Sequence, residues 1–437
     1  WTGSTTKDRT RTTRVQQLSD LGVTGRDGFW EISAASPRSN PLDVVGGLRV
    51  ITGAGVYRPT GSGLPTRPTP TNDPSTSGVN ESAGTVVWPD TMPMLVADPT
   101  DPLNASKQKR GDLVMRATAV YHYNFDSYAP LAATADNYQK PMACVSSYYN
   151  PTNQATATTN TYNPRDLTTV AASNNGVVYA ASATTSADVT IGQTTTNGFF
   201  TLAASADDVT NTGVTLLDRL KYQANLVFPN GRLVNPLLRQ ALAKATTSQL
   251  TLSEQSAIDS TICAITIADG TLTQSTTYIP DGAIKETAFL DARQIKAIDK
   301  GGALTGNYNL EVEQRQPLEI RATVIDLSKL RTQAIGAASD KEYLLPNSGI
   351  IYASRDDAQK DVSNSASENV SASDYKLDPE RRPNAIMLIN GSDLSRLNAY
   401  RAEEKGLILA TELPAYVKGN FNLHTKQEFK GTEVKHP

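Results

Sequence analysis

The stretch Gly406-Leu407-Ile408-Leu409-Ala410-Thr411-Glu412-Leu413-Pro414-Ala415-Tyr416-Val417-Lys418-Gly419-Asn420-Phe421-Asn422 decides how the rest of the chain is read. A short apolar run bounded by glycine leads through Pro414 into a second run that ends on a Gly-Asn corner. The same texture recurs upstream at Leu318-Glu319-Ile320-Arg321-Ala322-Thr323-Val324-Ile325, at Gly349-Ile350-Ile351-Tyr352-Ala353 and at Ala385-Ile386-Met387-Leu388-Ile389-Asn390-Gly391. Short strands closed by Gly, Asn or Pro corners suit the stacked rungs of a parallel β-helix, in which no rung buries its face without a neighbour. The spacing is irregular, with an insertion between 354 and 384. The expectation is a β-helix-like region over 281–437.

Working back toward the N-terminus, residues 136–280 read as Thr- and Asn-rich strands followed by short helices. Val177-Val178-Tyr179 and Phe199-Phe200-Thr201-Leu202 sit beside Asn-Gly pairs at Asn175-Gly176 and Asn197-Gly198, the dipeptide that type I′ turns favour. Leu216, Leu217, Leu220 and Ala224 recur at helical spacing, a second helix starts at Pro236, and a third opens with Thr251 three residues before Glu254, a capping box. These helices form a small insertion that covers one sheet. Residues 1–135 read as a β-rich region, with Gly47–Ile51, Thr85–Trp88 and Asp112–Tyr123 as strands between many Gly and Pro turns. Its first fifteen residues differ, because Lys7, Arg9, Arg11 and Arg14 alternate with threonines as in an exposed strand or arm. The fold class expected is therefore mainly β.

The 437 residues are 38% hydrophobic and 19% charged, both below the usual values for soluble domains, and the net charge is -3. That balance gives no global field for nucleic acid or an anionic membrane. Catalytic chemistry is hard to find. Among the three histidines, His122, His424 and His436, none stands in a Cys/His zinc spacing, and the chain has neither a G-x-S-x-G elbow nor a P-loop. The adjacent pairs Asp207-Asp208 and Asp356-Asp357 read as loop carboxylates, and the protein is read as no enzyme with no required cofactor. Calcium is the one metal the acidic loop suits, with Asp356, Asp357 and Asp361 as oxygen donors. Cys144 and Cys263 are either one disulfide across a long loop or two buried thiols. Seventeen tyrosines against three tryptophans either fill half-buried strand positions or stack on sugars and neighbouring subunits.

The segment Leu345–Asp357, with Pro383–Gly391 and Gly406–Asn422, resembles the cyanobacterial hormogonium polysaccharide biosynthesis protein A family. Lys285–Arg293, Val87–Asp90 and Ala143–Tyr149 fit the same family, and the closing block is similar to the end of large, minor-pilin-like type IV pilus proteins. The resemblance implies export by a pilus-like route, an extracellular, cell-surface location, and a role in gliding motility and polysaccharide secretion. The function expected is a structural subunit of a surface fibril or sheath layer, with copies of itself and extracellular polysaccharide as partners. The alternative is a pilus-tip adhesin or polysaccharide-binding module. The chain begins at Trp1 and lacks a pilin-like apolar N-terminus, so the expectation is that membrane attachment would need a segment absent here. Polymer contacts are expected from the basic arm and from the alternating Phe421, Leu423 and Phe429 near the C-terminus.

Overall fold

The computed structural model of the chain describes residues 29–35, 46–59, 91–96, 108–123, 139–147, 176–227, 233–275, 277–296, 316–335, 342–357, 384–397 and 406–423. Up to the middle of the chain the elements are α1 (Phe29–Ala35), β1 (Leu48–Thr52), β2 (Val56–Pro59), β3 (Thr91–Val96), β4 (Gln108–Met115), β5 (Ala117–His122), β6 (Ala143–Ser146), β7 (Val178–Ala180), β8 (Thr195–Thr196) and β9 (Phe199–Phe200). Next come α2 (Leu216–Asn225), β10 (Leu226–Val227), α3 (Pro236–Ala243) and α4 (Leu252–Ala268). The remainder is β11 (Ile284–Lys296), β12 (Gln316–Asp326), α5 (Leu327–Thr332), β13 (Ala334–Ile335), β14 (Glu342–Tyr343), β15 (Ile350–Arg355), β16 (Asn384–Ile389), β17 (Ile408–Ala410) and β18 (Ala415–Lys418). The described residues are mainly sheet, with few helices and no closed barrel.

Three sheets carry the fold. A central sheet runs β17-β15-β1-β5-β6-β7, with β1, β15 and β17 parallel and the other pairs antiparallel. An outer sheet runs β11-β12-β16-β18, parallel from β12 onward. A side sheet, β10-β3-β4-β2, is antiparallel throughout. Leu48, Val120 and Val145 of the central sheet share one core with Ile284, Ile325 and Ile386 of the outer sheet. On its other face the central sheet contributes Cys144 and Tyr179 to a second core with Leu220, Leu238, Leu242, Ile258 and Ile262 of the helices. The order of layers is thus helices, central sheet, outer sheet. Covered on both faces, β1, β5 and β6 are buried at every position, which explains why their sequences lack a polar alternation.

From β12 onward the chain alternates between the layers. β12 lies in the outer sheet, β15 in the central, β16 in the outer, β17 in the central and β18 in the outer, and each return lies parallel to the strand before it. The parallel run is only three strands deep in each sheet, and both runs continue into antiparallel strands at β5 and β11.

Several expectations meet the structure differently. The boundaries drawn at 135 and 280 do not separate sheets, because the central sheet takes strands from all three stretches: β1 and β5, then β6 and β7, then β15 and β17. Helices are not confined to the middle either, since α1 and α5 flank the sheets. The single strand expected over Asp112–Tyr123 is two. β4 belongs to the side sheet and β5 to the central one, and the break falls at Arg116, whose side chain turns inward to an ion pair. Thr85–Trp88 lies outside the described residues.

The helices begin where the capping chemistry places them. Thr215 accepts from the Asp218 nitrogen, Asn235 accepts from the Leu238 nitrogen with Pro236 following, and Thr251 with Glu254 completes the capping box of α4. α4 is buried along nearly its whole length, from Ser253 to Ala268. Gly53 makes that possible. A Cβ there would lie 2.5 Å from the Ser260 hydroxyl oxygen, so only glycine lets the β1–β2 corner approach the helix.

Candidate functional site

The feature that bears most directly on function is an end of the two-sheet stack. The central sheet finishes on β17 and the outer sheet on β18, and the two strands are consecutive in the chain. Both have exposed positions, whereas their inner neighbours β15 and β16 are largely buried. Among the described residues, nothing pairs with the outer edge of either strand. Apolar side chains crowd this end: Ile408 is 40% exposed, Val417 53% and Leu423 58%.

The segment after β18 is not the strand that its alternation suggests. Asn422 adopts a positive φ of 45°, and the chain bends back so that the nitrogens of Asn422 and Leu423 donate to the carbonyls of Gly391 and Ser392 at 2.7 and 2.8 Å. Gly391 is required there, since a Cβ would meet the Phe421 ring at 2.7 Å. Phe421 and Leu423, two of the expected contact residues, are therefore held at the surface by a turn. Phe429 and the basic arm of Lys7, Arg9, Arg11 and Arg14 lie outside the described residues.

Behind this end, a network of buried charges ties the two sheets together. Arg355, at the end of β15, is fully buried; it donates to Asp357 from Nε at 2.9 Å and Nη2 at 2.8 Å, and to Thr323 of β12 at 3.0 Å. The same guanidinium pairs with Glu286 of β11 at 2.8 Å, and Arg116 closes on Asp357 at 2.6 Å. Thr52 completes the link, with its hydroxyl 2.8 Å from that of Thr323 and 3.1 Å from that of Thr118. Asp356 and Asp357 were read as loop carboxylates and as calcium donors. Asp356 is instead fully buried, and Asp357 is already engaged by two guanidiniums whose charge opposes a cation. Asp361 lies outside the described residues, among which no group of three or more His, Cys, Asp or Glu is arranged to hold a metal ion.

The two acids of this network titrate in opposite directions. Burial pushes the Glu286 carboxyl above its ordinary value, and Arg355, Arg116 and Arg321 offset that only in part. Asp357 suffers the same desolvation, but Arg355 and Arg116 overcome it and hold its carboxyl well below the usual range. Asp357 therefore contributes stability that is present above about pH 4 and is lost as pH falls toward its folded value. Glu286 behaves oppositely, and its protonation favours the fold as pH falls through its raised value. The expected result is a urea midpoint that holds or rises from pH 7 toward the acid side and then drops below about pH 4. Glu286→Gln should abolish any rising limb and leave the acid drop; an unchanged profile in that variant would contradict the assignment.

A second buried network fixes the helices to the central sheet. Arg49 of β1 bonds Glu31 of α1 at 2.5 Å, Ser256 of α4 at 2.8 Å and the Tyr123 hydroxyl at 2.9 Å, and it lies over the Tyr121 ring at 4.9 Å. Tyr121 in turn donates to Asp259 of α4 at 2.8 Å. These tyrosines, like Tyr179 and Tyr343, are interior residues. Near them, Cys144 of β6 and Cys263 of α4 are joined in a disulfide that is fully buried, with Cα atoms 5.7 Å apart. His122 is packed beneath the surface with Nε2 2.9 Å from the Tyr343 carbonyl oxygen. The sequence offered no signal for Arg49, Glu31, Arg116 or Glu286, because each meets its partner across a large separation in the chain.

The fold and this site define a layered, mainly β protein, braced internally by buried ion pairs and a disulfide, whose two sheets end on unpaired edges among the described residues. No protein-family model, no curated protein and no solved structure matches the chain.

Proposed function

We propose that this chain is a non-enzymatic structural subunit of an extracellular surface fibril or sheath layer, joined to copies of itself through the exposed edge of β17 and β18. The observation that carries the reading is that, among the described residues, both sheets stop at neighbouring, exposed strands at the same end. A sheet edge of unpaired N–H and C=O groups is a template for another chain unless it is covered or charged. Here the exposed positions include the apolar Ile408 and Val417 alongside Lys418. The alternation of the C-terminal strands between two layers supports the finer reading of this part as a short β-helix-like stack, whose ends need either caps or partners. The resemblance of 345–422 to the hormogonium family supports a role in gliding motility and polysaccharide secretion.

The alternative, an adhesin or polysaccharide-binding module, rests on Trp30 and Tyr278, which are 42% and 37% exposed and could stack on sugar rings. The test is sedimentation of the full chain, made under oxidising conditions, across a wide concentration range, alongside a glycan array. Concentration-dependent growth in mass that Val417→Lys abolishes supports the structural reading. A monomer at every concentration that retains glycans would replace it with the adhesin.

A further inference from the structure

The two ends of the stack are not alike. At the far end the central sheet finishes on β7, and that edge is covered. The Ala180 nitrogen donates to the Thr273 carbonyl at 3.1 Å, the Ser275 nitrogen to the Val178 carbonyl at 2.8 Å, and Tyr179 bridges to Gln274. The chain then passes Gly282, whose nitrogen donates to the Gly176 carbonyl at 3.2 Å, and enters β11, the far strand of the outer sheet. Residues 273–275 and 277–283 thus wrap this end. At the near end, β17 and β18 have no such cover among the described residues, of which Ile408, Val417, Phe421 and Leu423 are half of the eight large hydrophobics that stand exposed.

We infer that the open end is met by the open end of a second copy, related by a twofold axis, with the β17 and β18 edges continuing antiparallel into those of the partner. This rests on the self-association proposed above and names its geometry. The wrapped end has no free central-sheet edge to offer, so head-to-tail stacking would satisfy one sheet at most. A lone extended peptide would likewise pair with β17 or with β18, but not with both. An identical open end presents two edges at the matching places, and a twofold contact is self-complementary by construction. The unit from which any larger assembly grows is then a dimer, and growth beyond it uses a different surface.

A single cysteine reads the symmetry, because a residue lies near its own copy only beside a twofold axis. In the full oxidised chain Cys144 and Cys263 are bonded and buried, so Val417→Cys adds the only accessible thiol among the described residues. A short bifunctional maleimide should link this variant into covalent dimers and nothing larger, matching a sedimentation mass of two chains for the unmodified protein. Ile408→Lys combined with Val417→Lys should raise the dimer dissociation constant at least tenfold while the circular dichroism spectrum is retained. Longer oligomers without Val417→Cys self-linkage would overturn the twofold joint and leave self-association standing. A monomer at all concentrations would overturn both.

Discussion

Arg355→Met should cost the fold about 3–5 kcal/mol, the range for removing one member of a buried ion pair. The side chain is fully buried and pairs with Glu286, Asp357 and Thr323 at once. Its loss removes the 2.8 Å ion pair of Glu286 and leaves that carboxylate buried between two sheets with only Arg116 and Arg321 to offset its desolvation. Asp357 is less affected because Arg116 remains 2.6 Å away. Native stabilities are typically about 5–15 kcal/mol, so the variant should approach the unfolding threshold. A second substitution distinguishes stranding from simple loss of packing. Adding Glu286→Gln to Arg355→Met removes the stranded charge and should recover part of the loss, giving a coupling energy of about 1–3 kcal/mol in a double-mutant cycle. Purely additive urea midpoints would refute the ion-pair account.

Replacing both Cys144 and Cys263 with alanine should lower stability by roughly 2–5 kcal/mol. The bond closes a loop of 119 residues, for which the chain-entropy model gives about 5 kcal/mol. Two further links, Arg49 to Ser256 and Tyr121 to Asp259, still bind α4 to the central sheet, so the variant should fold at reduced temperature. Because the sulfurs are buried, reductant should act on the native protein only through unfolding. The check is a comparison of urea midpoints for the oxidised protein and the double variant, with loss of the native midpoint shift as the contrary result.

What was legible in the sequence was local. Thr251 with Glu254, Pro236 after Asn235, and Leu216-Leu217-Leu220 gave three helices close to where they lie, since caps and periodicity act within a few residues. The Asn197-Gly198 pair marked the β8–β9 hairpin because both residues adopt positive φ, at 52° and 82°. The C-terminal strands were visible as short apolar runs. Their partners were not, because the register of β1 against β15 depends on residues about 300 positions apart. The same holds for the site: Phe421 and Leu423 were found by their alternation, but the alternation belongs to a turn pinned on Gly391 and Ser392. Asp356 and Asp357 misled for a related reason. Adjacent aspartates suggest a loop open to water, and nothing nearby in the chain announces Arg116 or Arg321.

The parallel pairing of Leu48–Thr52 with Ile350–Arg355 also fixes when this protein can fold. β1 is the middle of the central sheet, and one of its two hydrogen-bonding edges stays empty until residues 350–355 have left the ribosome. At about 5–20 residues per second that interval is roughly 15–60 s, long compared with hairpin formation in microseconds. β1 must therefore wait, with an aggregation-prone edge uncovered, while about 300 further residues are made. A nascent chain under that constraint favours being held by a chaperone until β15 can pair with β1.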